Sequence, residues 1–153
     1  NSDKRVPTGL IVFRGEDFND NYTNPISEYH EQIKRRLATH LTKCSGKAVV
    51  VFDEVQKVIP HTLDVLMEAL STRPQLTYYQ DGVARTIDCS NVIFVLVSDI
   101  GAERMHKIIL AHGSRETFPQ SELVSAVKDA LDAQWKRLQF GKMIHEVIPF
   151  LPL

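Results

Sequence analysis

The run Ala48-Val49-Val50-Val51-Phe52 consists of five apolar residues without alternation, and it breaks at once into Asp53-Glu54. A strand with one wet face alternates apolar and polar side chains, whereas a strand covered on both faces, as in a parallel sheet, is apolar throughout. Five residues are too few for an ordinary helix and three of these are β-branched, so the run predicts a buried strand. Upstream, Ile26, Tyr29, Ile33, Leu37 and Leu41 share one helical face opposite Lys34, Arg35 and His40. Asn24-Pro25 supplies an N-cap followed by proline at the first helical position, and Ser45-Gly46 marks the end. Before that helix, Leu10-Ile11-Val12-Phe13 predicts another short buried strand.

Downstream, a helix is expected from about Pro60, with Leu63, Leu66, Met67 and Leu70 as its buried stripe. Asp81-Gly82, within Tyr78 to Arg85, is a turn signal with short strands on either side. Val92 to Val97 is a second unbroken apolar strand and ends at Ser98-Asp99. Helical periodicity returns over Ala102 to His112 (Met105, Ile108, Ile109) and from Ser121 to about Leu138 (Leu123, Val127, Leu131, Trp135). Val147-Ile148 predicts a last short strand, which Pro149 confines to its end or to an edge. Strands alternating with helices predict an α/β layered fold with a mostly parallel sheet.

Composition narrows the function classes. A chain of 153 residues has the size of one domain. With 43% apolar and 24% charged residues, wholesale disorder is excluded. A net charge of -1 provides no global attraction for nucleic acid or an anionic membrane surface. No apolar run approaches the ~18 residues of a membrane span. The chain opens on Asn1-Ser2-Asp3-Lys4, without methionine or a signal-like apolar stretch, and is expected to be part of a longer protein. Cys44 and Cys89 are too few for a disulfide scaffold and too far apart for a CxxC metal site. The six histidines form no i, i+4 pair, so a metal site of their own is not expected.

Two strands end in acids, Phe52 into Asp53-Glu54 and Val97 into Ser98-Asp99. In open α/β sheets, ligands bind beyond the carboxyl ends of the strands. Two adjacent carboxylates there suit nucleotide hydrolysis with Mg²⁺: the first holds the hard cation, usually through water, and the second orients and polarises the attacking water. The bland alternative is that Asp53 merely leads the chain out of the sheet into a turn.

VVFDEVQKVIP at Val50 to Pro60, with LDVLMEAL after it, resembles the Walker B region of Clp-type AAA+ ATPases. YYQDGVARTIDCSNVIFVLVSDIGAERM resembles the turn, fourth strand and sensor-1 segment of the same group. Within it the chain is most similar to the torsin branch, through Gly101-Ala102-Glu103-Arg104, the ending Pro149 to Leu153, and a cysteine before Walker B, Cys44. The resemblance implies a partial AAA+ (P-loop NTPase-like) three-layer fold, a mostly parallel sheet flanked by helices, with residues 1–153 forming a single incomplete ATPase domain. It implies an ATPase that uses ATP and Mg²⁺ to remodel a protein substrate in a chaperone-like way, as an oligomer. Asp53 would assist Mg²⁺ and Glu54 would be the catalytic carboxylate. Asp99 would occupy the sensor-1 position, where the family usually has Asn. An ionised Asp donates no hydrogen bond to a γ-phosphate and repels it, so slow turnover, or none, is expected.

The phosphate-binding loop G-x-x-x-x-G-K-[ST] is absent. Ser45-Gly46-Lys47 precedes a strand instead of opening a helix after one, which excludes it as a phosphate cradle. In the resembled family that loop and its central strand lie upstream, and without them residues 1–153 alone are expected to fold poorly and bind no ATP. Met143, beside Lys142, stands where Clp-type enzymes carry an arginine finger. Torsins similarly lack that arginine and take one from a membrane-anchored activator protein, so the resemblance implies such a partner and a location in the endoplasmic-reticulum lumen. The alternatives are a non-hydrolysing AAA+-derived scaffold, and a Clp-type unfoldase, which Met143 counts against. Phe18 and Tyr22 either fold back on the core or contact substrate as a pore loop does; Lys34-Arg35-Arg36 is expected to be a solvated helix face. Cys44 and Cys89 precede neighbouring strands and are expected at one end of the sheet, as two free thiols in preference to a bridge.

Overall fold

A computed structural model describes residues 9–20, 25–113, 120–136 and 140–151. Contacts divide the chain into two units, Asn1–Ser98 and Asp99–Leu153.

The first unit is built on β1 (Leu10–Arg14), α1 (Ile26–Lys43), β2 (Ala48–Asp53), α2 (Leu66–Ala69), β3 (Gln75–Gln80), β4 (Val83–Asp88) and β5 (Val92–Leu96). Strands β1, β2 and β5 form an all-parallel sheet in the order β1-β2-β5, with β2 central. Register aligns Phe13 with Phe52, Arg14 with Asp53, and Phe52 with Leu96, so β2 and β5 end at the same edge of the sheet. The expected neighbouring of these strands is found.

Aromatic packing ties the central strand to the helix. Phe52 stacks on Phe13 at 4.8 Å, Phe13 meets Phe18 at 6.3 Å, and Phe18 meets Tyr29 of α1 edge-on at 5.2 Å. Tyr29, Ile33, Leu37 and Leu41 are buried, which is the apolar face expected of α1. The helix starts at Ile26, with Pro25 in the N-cap position, one residue later than expected. It ends where Ser45 and Gly46 turn left-handed and the Gly46 amide donates to the Leu41 carbonyl at 2.8 Å.

The sheet departs from one expectation. Phe13, Val50 and Phe52 are buried, but the opposite face carries Leu10, Val12, Val49, Ile93 and Val95 in exposed positions, Ile93 to 62%. The apolar runs encode cover on two faces; among the described residues of this unit that second face stays open.

The helix expected from Pro60 is a 3-10 turn, Thr62–Val65, followed by the single turn of α2. His61 at φ 73° breaks the helical path before it starts. Leu63 and Leu66 are buried as expected, whereas Met67 is 39% exposed. Strands β3 and β4 pair antiparallel across Asp81-Gly82, both at positive φ, as a two-residue hairpin turn requires. Glu68 of α2 pins this hairpin, accepting from the Thr77 amide at 3.0 Å, the Thr77 hydroxyl at 2.6 Å and Gln75 Nε2 at 3.2 Å. Burial acts to raise the Glu68 carboxyl, but these bonds outweigh it and hold the group below its usual value.

The second unit contains α3 (Ala102–His112), α4 (Gln120–Gln134) and α5 (Phe140–Met143). Met105, Leu123 and Val127 form its core, with Ile108, Ile109, Leu131 and Val147 packed against it. Gly101 precedes α3 at φ 88°, and a Cβ there would stand 3.1 Å from the Val127 Cα. Trp135 is buried as expected. The strand expected at Val147-Ile148 is not formed: both residues lack regular structure, and Val147 serves as a packing residue instead. Leu138 lies outside the described residues.

Candidate functional site

Asp53 ends the central strand, at the carboxyl edge of the parallel sheet, with its Cα partnered to Arg14 of β1. The next residue leaves strand geometry altogether. Glu54 sits at φ 54° and ψ 48°, a left-handed conformation that costs an L-residue about 1–2 kcal/mol. A short 3-10 turn, Val55–Lys57, follows.

Contacts from both neighbouring strands hold this elbow. On one side the Val97 amide donates to the Phe52 carbonyl at 2.9 Å, and the Val55 amide donates back to the Val97 carbonyl at 3.1 Å. On the other side Gly15, immediately after β1, lies against the Asp53 and Glu54 carbonyls. A 3-10 turn from Gly15 to Phe18 continues from there, and the Ile59 amide donates to the Phe18 carbonyl at 2.9 Å.

The Glu54 carboxylate is about half exposed and pairs with Lys57 Nζ at 3.0 Å. Hydrogen bonding to Glu54 raises Lys57 above the ordinary lysine value, with the charges of Glu54, Glu16 and Asp53 adding to it and slight burial opposing. Glu54 is thus an acceptor carboxylate at a strand end, parked on a cation three residues away. The sequence reading found Asp53 and Glu54 but neither Lys57 nor Gly15. For Lys57 the i, i+3 charge spacing was the available signal; Gly15 had none, because its role is defined by what passes next to it.

Asp99 is exposed and is the first residue of the second unit; its carbonyl accepts the Ala102 amide at 3.0 Å, where α3 begins. Phe18 is buried in the aromatic chain, so of the two roles weighed for it the core role is the one it takes. Tyr22 lies outside the described residues. Within Lys34-Arg35-Arg36, Arg36 is not a solvated bystander: its guanidinium lies 4.2 Å over the Phe13 ring and donates to the Val12 carbonyl at 3.3 Å. The Gly46 and Lys47 amides are spent on the Leu41 and Cys44 carbonyls, so Ser45-Gly46-Lys47 has no free cradle for phosphate. Met143 ends α5, next to Lys142.

Cys44 and Cys89 are not bridged to each other, as expected. Cys44 is half-buried and approaches His40 Nε2 at 3.7 Å. Burial pushes the Cys89 thiol up to about 11, with the charges of Asp88 and Glu68 adding to it. Because folding raises this value from 9.0, the contribution to stability is complete below pH 9 and is lost as pH rises through about 11. Iodoacetamide at pH 8 should therefore label Cys44 long before Cys89, and the first unit should lose stability between pH 9 and 11, as denaturant midpoints at each pH will show.

Among the described residues no group of three or more His, Cys, Asp or Glu side chains could hold a metal by itself. Mg²⁺ needs less than that, since one carboxylate plus waters and substrate phosphates suffices. Asp53 fits that requirement and Glu54 fits the orientation of a water, whereas this chain offers no G-x-x-x-x-G-K-[ST] loop for the phosphates. No described helix is long and apolar enough to cross a membrane.

The sequence matches no protein-family profile. It is 34% identical over 106 residues to the chaperone protein ClpB of Pseudomonas putida, covering 69% of this chain and 11% of that protein. Against the human mitochondrial disaggregase it is 28% identical over 138 residues, covering 76% of this chain and 19% of that protein. The structure is similar to a chain of the S. cerevisiae Hsp104–ADP complex, with TM-score 0.56 and 21% identity over 87% of this chain and 22% of that chain; this likeness concerns the fold. The chain thus spans from about a ninth to a fifth of the length of the curated relatives it matches.

Proposed function

We propose that this chain, which is homologous to the Clp-type AAA+ ATPases of the ClpB and Hsp104 kind, contributes the metal-facing and water-activating part of an ATPase site that drives protein remodelling in an oligomer. The observation that carries the reading is the Asp53-Glu54 pair at the carboxyl end of the central strand of an all-parallel sheet. Bound Mg²⁺·ATP would supply the phosphoanhydride bond and a γ-phosphate polarised by the metal. Asp53 offers the hard anionic oxygen for the cation's water shell. Glu54, once turned from Lys57, accepts a hydrogen bond from the attacking water and takes its proton.

Homology to ClpB and the disaggregases supports the Clp-type reading, against the expectation drawn from Met143. Hsp104 has been seen with casein, and an unfolded client of that kind provides the test. The complete protein should hydrolyse ATP, and casein should raise the rate severalfold; a rate indifferent to unfolded protein would contradict the remodelling function.

Asp99 in the sensor position is proposed to slow the reaction by placing a negative charge toward the γ-phosphate. Asp99→Asn in the complete protein should therefore lower KM for ATP and raise kcat, each by about fivefold to thirtyfold, the equivalent of roughly 1–2 kcal/mol. Steady-state kinetics on both forms checks this.

A second reading places the chain in the torsin branch, with lumenal location and an activator protein donating an arginine. Gly101-Ala102-Glu103-Arg104 and Pro149 to Leu153 favour it. Turnover that needs an added arginine-bearing partner would support this branch; full turnover by the protein alone would favour a self-sufficient Clp-type enzyme.

A further inference from the structure

The exit of β1 is shaped around the absence of a side chain at Gly15. Gly15 is buried, one residue past the Arg14–Asp53 register pair, and it packs against the main chain of the β2 exit. A Cβ added there would overlap the Glu54 carbonyl oxygen and stand 2.8 Å from the Glu54 carbonyl carbon and 3.1 Å from the Asp53 carbonyl oxygen. All three are backbone atoms, so no rotamer change could relieve the clash. Gly15 itself is not at positive φ. Space, not conformational freedom, is what demands glycine at this position.

Two of the three atoms it crowds, and the nearest of them, belong to Glu54, the one residue at the strand end that is conformationally strained. Glu54 holds φ 54°, and the turn diverts its side chain from the alternation of the strand onto Lys57, 3.0 Å away. The far side of the elbow is fixed by the hydrogen bond from the Val55 amide to the Val97 carbonyl. The elbow is therefore gripped between the first residue after β1 and the residue after β5. An added methyl group at position 15 must shift main chain, by displacing the β1 exit, moving Glu54 or opening that bond.

We infer that Gly15 is a positioning residue for Glu54: its missing side chain lets the β1 exit close on the elbow and fixes where the Glu54 carboxylate stands. The inference rests on the proposed role of Glu54 in activating water and adds the residue that sets its place. Gly15 provides no side-chain atom for nucleotide or metal, so its replacement acts on the chemical step through Glu54 and leaves binding intact. A displacement of about 1 Å in a reacting group costs on the order of 100-fold in rate.

The test compares wild type, Gly15→Ala and Glu54→Gln in the complete protein, reading kcat, KM, the ATP dissociation constant and the thermal melt. Gly15→Ala should lower kcat by about 10- to 100-fold, with KM and ATP affinity within about twofold and the melt still cooperative. A purely structural role would instead move the melt and leave the kcat of the folded fraction unchanged. Wild-type kcat in Gly15→Ala, or a loss confined to KM, overturns the inference while leaving Glu54's role standing if Glu54→Gln is inactive. Unchanged turnover in Glu54→Gln overturns the role of Glu54 and the inference with it. Should Gly15→Ala fail to fold, Gly15→Ala/Glu54→Gly decides the matter, because glycine at 54 lets the elbow retreat. A recovered cooperative melt supports the contact, and continued failure overturns it.

Discussion

Replacing Glu54 by glutamine in the complete protein is expected to lower ATP turnover by about 10²- to 10⁴-fold while ATP remains bound. That is the usual contribution of a positioned general base. The amide keeps the size and the carbonyl acceptor of the carboxylate but cannot take a proton from water. It also loses the charge that holds Lys57, whose Nζ lies 3.0 Å from the carboxylate. Since that pair is exposed, its loss should scarcely alter stability. The expected signature is therefore a kcat effect with an unchanged melt and an unchanged or tighter dissociation constant for ATP. Turnover within twofold of wild type would remove Glu54 from the chemistry.

The largest effect on stability is expected at Phe52. Its ring is 2% exposed and stacks at 4.8 Å on Phe13, which is 0% exposed. Truncating a buried phenylalanine to alanine costs about 3–5 kcal/mol through lost transfer energy and the cavity left behind. Here the cavity would open at the head of the aromatic chain through Phe13 and Phe18 to Tyr29, so β2 would lose its tie to α1. Against a typical total of about 5–15 kcal/mol, Phe52→Ala should leave the first unit marginal or unfolded at 37 °C. Val83→Ala, at a position 57% exposed, should change stability by only about 0.5 kcal/mol. Denaturant melts of the two variants of the complete protein, side by side, distinguish a core loss from a general sensitivity to substitution.

Much of the fold was legible because its signals are local. Ala102–His112 forms to the residue as expected, bracketed by Gly101 and Gly113, both at positive φ. Asp81-Gly82 specifies its own turn, and the unbroken runs at Ala48 and Val92 become neighbouring parallel strands. What was missed depends on distant partners. Val147-Ile148 has strand-like composition, yet Val147 packs on the Met105, Leu123 and Val127 core while Ile148 is exposed, and apolarity alone does not distinguish these fates. The helix expected at Pro60 fails on the left-handed His61, a conformation that no periodicity shows. Arg36 looked like one of three solvated cations, and only the placement of Phe13 beneath it reveals a cation–π contact.

The candidate site divides the same way. Asp53 and Glu54 could be named because acids closing an apolar run are visible as text, and β2 places them at the carboxyl edge as expected. The left-handed elbow could not be named, nor the grip of Gly15 and Val97 on it, since both come from strands far away in the chain. In the sequence Asp99 closes a second acidic strand end; in the structure it is the first residue of the second unit, with its carbonyl at the start of α3.

The most direct test is a structure of the complete protein with Mg²⁺ and a non-hydrolysable ATP analogue. The expected result is a cation whose water shell rests on Asp53, with Glu54 turned from Lys57 to accept a hydrogen bond from a water in line with the γ-phosphate. A nucleotide bound elsewhere, with Asp53 in solvent and Glu54 still on Lys57, would contradict it.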